Sequence, residues 1–174
     1  MTPELKKKLL ERMFSSEEYI REMRDAYAKA LSGADESLEW FEKNQPTTDD
    51  RALRSAEAWK NRALPNMRHL LETLDRTGIA AYREGDSGYV RTVANNIMAL
   101  DRDLDNVDDK WWDYVPQEIA FKYGKHLTKA KRMASNIAWT LGEAWNDDEI
   151  LRERITGPID EQELLKYLKP GERP

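Results

Sequence analysis

The sequence predicts an all-α protein, an antiparallel up-down four-helix bundle with short additional N- and C-terminal helices. Three observations predict it. Apolar residues recur in steps of three and four over four extended stretches. Charged residues make up 35% of the 174-residue chain while Gly and Pro are scarce, a composition that suits long solvated helices. The connections between the stretches are short, which forces neighbouring helices antiparallel.

Pro3 to Phe14 reads as a short amphipathic helix. Ser15 and Glu18 then fit a capping box, in which side chains satisfy the first free amides of the next helix. That helix, A, runs to about Asn44 with the seam Ile20, Met23, Tyr27, Ala30, Ala34 and Phe41, and with Gly33 in its middle. After the loop at 44–47, Thr48 is the expected cap of helix B, and Asp49 and Asp50 favour its positive end. Helix B carries Leu53, Ala56, Ala63, Met67, Leu70 and Leu74 and extends to about Glu84. Pro65 predicts a kink or break inside it, and Gly78 marks a second interruption.

Residues 85–88 form the next turn. Helix C has the cleanest seam: Val90, Val93, Ile97, Leu100, Leu104, Val107 and Trp111. Pro116 ends it and opens helix D, which presents Tyr123, Leu127, Ala130, Ala134, Ile137, Leu141 and Ala144. Short helices are expected at 147–155 and 160–168, with Asp160 as a cap, and a mobile tail at 169–174. The whole is read as one domain, 1–174, with its core bundle at about 16–146.

Composition narrows the chemistry. Cysteine is absent, so there is no disulfide framework and no thiolate metal site or nucleophile. The net charge of −5 makes nucleic acid a disfavoured partner overall. Met1 to Phe14 is charged throughout and lacks the apolar run of a secretory signal. No run of about 18 apolar residues suggests a membrane span. A cytoplasmic location is therefore expected, with no membrane partner. Proteins of this make-up include phage and mobile-element factors.

Asp101, Asp103 and Asp105 match the first positions of a calcium loop, but Asn106 stands where the turn needs glycine and Trp112 where a bidentate glutamate is needed. The helical seam also continues through the segment, so a solvated helical face is expected there. Helix D carries a basic stripe, Lys122, Lys125, Lys129 and Arg132, a candidate anion- or nucleic-acid-binding surface. Folding helix C onto helix D would instead pair Asp108 with Lys122, Asp105 with Lys125 and Asp101 with Lys129.

Arg62 and His69, seven apart on helix B, resemble the Arg-x(4–6)-His signature of HEPN ribonucleases. The resemblance implies metal-independent RNA cleavage across a dimer, with Arg62 stabilising phosphate charge and His69 in acid–base chemistry. Ala63 departs from the family, which has a polar residue after the arginine. Glu39-x-x-Glu42 and Glu72-x-x-Asp75 resemble the acidic motifs of MazG-type nucleotide pyrophosphohydrolases, which implies Mg²⁺ held by those four carboxylates. Neither His69 nor His126 follows a glutamate three residues earlier, so diiron spacing is absent.

Six tryptophans are many for this length. Trp111 fits the helix C seam, and Trp59 and Trp145 flank it. Trp40, Trp112, Phe121 and Trp139 lie outside the seams. They are expected either to be covered by the terminal helices, through Leu9, Leu10, Ile155, Leu164, Leu165 and Leu168, or to anchor an interface. The leading expectation is a non-enzymatic protein-binding module, without a cofactor, that engages another protein or a second copy of itself. The alternatives are an enzyme of RNA or nucleotides at Arg62 and His69 or at the four carboxylates, and an anion binder using the basic stripe.

Overall fold

The computed structural model describes residues 1–79, 87–141 and 159–173. Every regular element in them is helical, and no described residue lies in a strand. No helix among the described residues is long and apolar enough to cross a membrane. Of the expected turn at 85–88, Ser87 and Gly88 instead begin a helix, Ser87–Asp105; residues 85–86, the end of helix B near Glu84, Ala144, Trp145 and the short helix at 147–155 lie outside the described residues.

Helix α1 (Pro3–Phe14) opens on Thr2, whose hydroxyl accepts the Leu5 amide. Its end divides two serines between two tasks. Ser15 Oγ donates to the Glu11 carbonyl at 2.6 Å and closes α1. Ser16 Oγ accepts the Tyr19 amide at 3.2 Å and opens α2 (Glu17–Asn44). The expected box on Ser15 and Glu18 is therefore corrected by one residue, because Ser15 is consumed by the preceding helix. Helix α3 (Asp50–Ala58) shows the same one-residue correction: Asp49, not Thr48, accepts the first free amide, from Arg51 at 3.0 Å. Thr47 Oγ1 in turn accepts the Asp49 amide.

Pro65 interrupts the α-helical register without ending the helical path. A wide turn over Trp59–Ala63 precedes α4 (Leu64–Thr73), with the Leu64 amide bonded to the Trp59 carbonyl five residues back. Pro65 then occupies the first turn of α4, where a missing N–H is tolerated. A second wide turn covers Leu74–Ile79, which contains Gly78.

Helix α5 (Ser87–Asp105) is shorter than its apolar seam suggested. The amides of Asn106 and Val107 turn back to the carbonyls of Asp103 and Leu104. Asn106 Nδ2 also donates to the Arg102 carbonyl at 3.1 Å. The chain leaves the helix there, so the expected straight helix through Val107 and Trp111 is corrected. Trp111 enters from a 3-10 turn (Lys110–Tyr114) and is still fully buried. Pro116 then caps α6 (Gln117–Thr140). Asp160 caps the one-turn α7 (Glu161–Leu164), accepting the Gln162 amide.

Gly33 decides how α2 meets α6. A Cβ there would lie 2.7 Å from the Tyr123 backbone nitrogen and 3.1 Å from Tyr123 Cα. Ala26, Ala30, Ala34, Ala130 and Ala134 are buried with it. The two helices run antiparallel, since Glu36 pairs with Lys122 at 3.1 Å and Glu22 with Lys129 at 2.7 Å. These contacts replace the expected α5–α6 ladder. Close approach to α2 places Lys122 and Lys129 beside its acids, while Asp101 meets Lys131 at 2.8 Å. Asp108 lies beyond the end of α5 and pairs with Arg51.

Against α3 and α4, α2 is also antiparallel: Arg24 pairs with Asp75, Asp35 with Arg68, and Glu42 with Lys60. The core forms two clusters. One holds Tyr27, Phe41, Trp59, Met67, Trp111 and Leu127. The other holds Leu9, Leu10, Phe14, Ile20, Ile97, Ile137 and Leu164, and Leu70 packs against both. Leu9, Leu10 and Leu164 are thus covered, while Leu53, expected in the helix B seam, is exposed. Ile155 lies outside the described residues.

Residues 169–173 do not stand clear of the fold. Arg12 forks onto Glu172 at 2.6 and 2.9 Å, Lys8 adds a contact at 2.7 Å, and the Lys169 amide donates at 2.9 Å. The Arg12 guanidinium, then Lys8 and that amide, hold the Glu172 carboxyl well below the usual carboxylate range. A carboxyl lowered by folding stabilises the fold above its unfolded pKa and loses that contribution as pH falls through the folded value. The tail is therefore expected to stay docked as the other carboxylates protonate and to release only in stronger acid. A carboxyl NMR titration with Glu172 moving at an ordinary carboxylate pH would contradict this.

Candidate functional site

A cleft of about 640 Å³ opens where α5 ends. The chain builds it by leaving the helix early. Ser55, buried on α3, donates to the Asp108 carbonyl at 2.5 Å and accepts the Trp111 amide at 3.3 Å. Arg51, one turn earlier on α3, reaches Asp108 Oδ2 at 2.8 Å. Tyr114 donates to Asp49 Oδ2 at 3.2 Å, which ties the 3-10 turn to the start of α3. The loop at 106–109 is thus clamped from α3, and the paired tryptophans after it are aimed inward.

Trp111 goes to the core, in edge contact with Phe41 and Trp59. Trp112 remains half-buried and stacks on Tyr123 at 4.8 Å between ring centroids and 17° between planes. Trp59 stands edge-on to both, at 5.4 and 5.7 Å. Trp59, Trp112 and Tyr123 line the cleft with Leu104, Val107 and Leu127. Such tilted and stacked pairs add about 0.5–1.5 kcal/mol each beyond area burial, so this aromatic wall is held in place rather than loosely exposed.

The rim is acidic. Asp101, Asp105, Asp108 and Asp109 line the cleft with only Arg51 and Lys131 as cations. Lys131 is taken by Asp101 and Arg51 by Asp108, which leaves Asp105 and Asp109 without an ion pair among the described residues. The Arg51 contact, then the Lys110 amide, lowers the Asp108 carboxyl below its ordinary value. Burial, then the charges of Asp101 and Asp105, pushes the Tyr123 phenol up.

The four expected interface aromatics are dispersed. Phe121 is 67% exposed, whereas Trp40, Trp112 and Trp139 are half-buried. Phe121 and Trp139 stand about 27 Å apart along α6 by helical rise. Only Trp112 of the four lines the cleft.

Arg62 and His69 are both exposed on the outside of the α3–α4 path. The two acidic motifs do not converge. Glu42 lies level with Lys60, and Asp75 lies level with Arg24. That register sets the Glu39/Glu42 pair about 22 Å along the hairpin from the Glu72/Asp75 pair. The reading of these four carboxylates as one metal site is corrected on that ground, because antiparallel packing sends the motifs to opposite ends. No group of three or more His, Asp or Glu among the described residues is placed to hold a metal ion.

The basic stripe of α6 is partly matched by α2, through Lys122 to Glu36 and Lys129 to Glu22. A positive field persists there. Desolvation, then Lys125, Lys29 and Lys129, lowers the His126 pKa. Arg132 is exposed on the same helix.

Periodicity places Tyr123 on the seam of helix D and Trp59 only beside a seam, and it offers no reason to join them to the aspartates. The available signal was the acidic run Asp101–Asp109 placed directly before Trp111 and Trp112. No known protein family, curated protein or solved structure matches this chain.

Proposed function

We propose that the chain is a non-enzymatic protein-binding module: one antiparallel up-down four-helix domain, braced by its terminal helices, that presents the acid-rimmed aromatic cleft to another protein or to a second copy of itself. The observation that carries this reading is Trp112. It is half-buried, held rigidly on Tyr123, and set in a cleft whose lining carries more carboxylates than cations. Trp112 packs against both Tyr123 and Trp111, and a rigid aromatic side chain that keeps part of its surface accessible is of the kind that dominates binding hot spots. The antiparallel pairs of α2 with α4, α2 with α6, and α5 with α6, where Arg91 reaches the Leu141 carbonyl and Asp101 meets Lys131, support the bundle.

The expected result is a stoichiometric complex, resolved by light scattering, in which Trp112 becomes protected from oxidative footprinting. Labelled RNA and nucleoside triphosphates should survive incubation with the chain, with or without Mg²⁺. RNA cleavage lost on His69→Ala, or a strict monomer whose Trp112 is never protected, would overturn the proposal.

A further inference from the structure

We propose that the cleft at the end of α5 receives an arginine side chain from a basic segment of the partner. This rests on the binding-module reading and specifies the chemistry of what is bound. Three features of the cleft converge on a guanidinium. Its lining holds two carboxylates beyond those matched by its own cations, and these two, Asp105 and Asp109, are exposed at the rim. Its wall is aromatic, and the faces of Trp and Tyr attract cations, guanidinium groups most often. The rim also already holds a group of this kind: Arg51 reaches both oxygens of Asp108, at 2.8 and 3.4 Å.

Arginine fits this combination better than lysine. Its planar group can stack on a ring while donating to carboxylates at its edge, whereas an ammonium is a compact, strongly hydrated charge. Trp59, a cleft-lining residue 2% exposed, carries a buried indole N–H with no acceptor among the described residues. The volume, about 640 Å³, suits several groups rather than one side chain.

The test titrates the full chain with a capped Gly-Arg-Gly-Arg-Gly peptide, read by tryptophan emission and calorimetry. The matching lysine and glutamate peptides serve as comparisons. Saturable binding is expected for arginine, weaker binding for lysine and none for glutamate, with affinity falling as salt rises. The double change Asp105→Asn and Asp109→Asn should weaken the arginine peptide about tenfold. Both side chains are exposed, so the fold is spared. Asp103→Asn, on α5 but outside the cleft lining, should leave affinity unchanged.

Absent binding, indifference to the double change, or an equal loss with Asp103→Asn would overturn the arginine assignment. Protection of Trp112 in a complex with an acidic or uncharged partner would remove arginine while leaving the binding module standing. Failure of every complex would remove both.

Discussion

Gly33→Ala is expected to destabilise the protein by about 2 kcal/mol, the reverse of what helix propensity alone predicts. In an exposed helix interior the same change would gain about 1 kcal/mol, because alanine restricts the unfolded chain and suits the helix. Here the added methyl meets backbone. The nearest atoms are Tyr123 N at 2.7 Å, Lys122 C at 3.1 Å and Tyr123 Cα at 3.1 Å. No side-chain rotation relieves that contact, so α6 must move away from α2 along a seam of buried alanines. Overpacking of this kind costs about 1–3 kcal/mol or more, and the propensity gain offsets only part of it. Tyr123 also lines the cleft, so the displacement should alter tryptophan emission in the folded state. Urea denaturation decides the matter: an unchanged or raised midpoint would show that the helices do not meet as described.

Trp111→Ala should cost more, about 3–5 kcal/mol by the range for large aromatic truncations in cores. Trp111 is fully buried and touches Phe41, Trp59 and Trp112 through ring contacts of 4.2–5.8 Å. Its removal leaves a void among the rings of Phe41, Trp59 and Trp112. Trp111→Phe should lose far less. The indole N–H has no acceptor among the described residues, so the smaller ring forfeits volume and no hydrogen bond to them. If Trp111→Ala unfolded at the same denaturant concentration as the parent chain, the aromatic cluster would not be part of the stabilising core. Comparison with Trp112→Ala separates core from cleft. Trp112 is half-buried, so its loss should cost less stability and more binding.

Much of the secondary structure was legible in the residues. Helices α1, α2 and α6 lie close to where apolar spacing and prolines placed them, and the capping serines and aspartates differ by single positions. Val90, Val93, Ile97, Leu100 and Leu104 are all buried, as their stepping predicts, the first three in one core cluster and the last two in the other. The end of α5 was not legible. Val107 and Trp111 continue the seam in sequence, and nothing local shows that Ser55, more than fifty residues earlier, captures the Asp108 carbonyl. The charge partners were not legible either. Lysines on α6 faced acids on two helices, and the choice depended on which helix came closest.

The cleft was legible only in part. Its acids and Trp112 drew notice separately, as a poor calcium loop and as an outlying aromatic. Tyr123 looked like ordinary core, and Trp59 stood beside a seam. They form one site because an early helix end, a clamped loop and the α2–α6 crossing bring four segments together.

By itself, then, the amino-acid order determined that the described residues are helical, about where α1, α2 and α6 run, and which face of each is apolar. Those are properties of one segment at a time, set by the 3.6-residue repeat and by the hydrogen bonds a helix end lacks. The tertiary structure alone decided which charges pair, where the long seam breaks, and which side chains share a cleft. Those depend on how closely two backbones approach, and at Gly33 the absence of a single methyl group sets that distance.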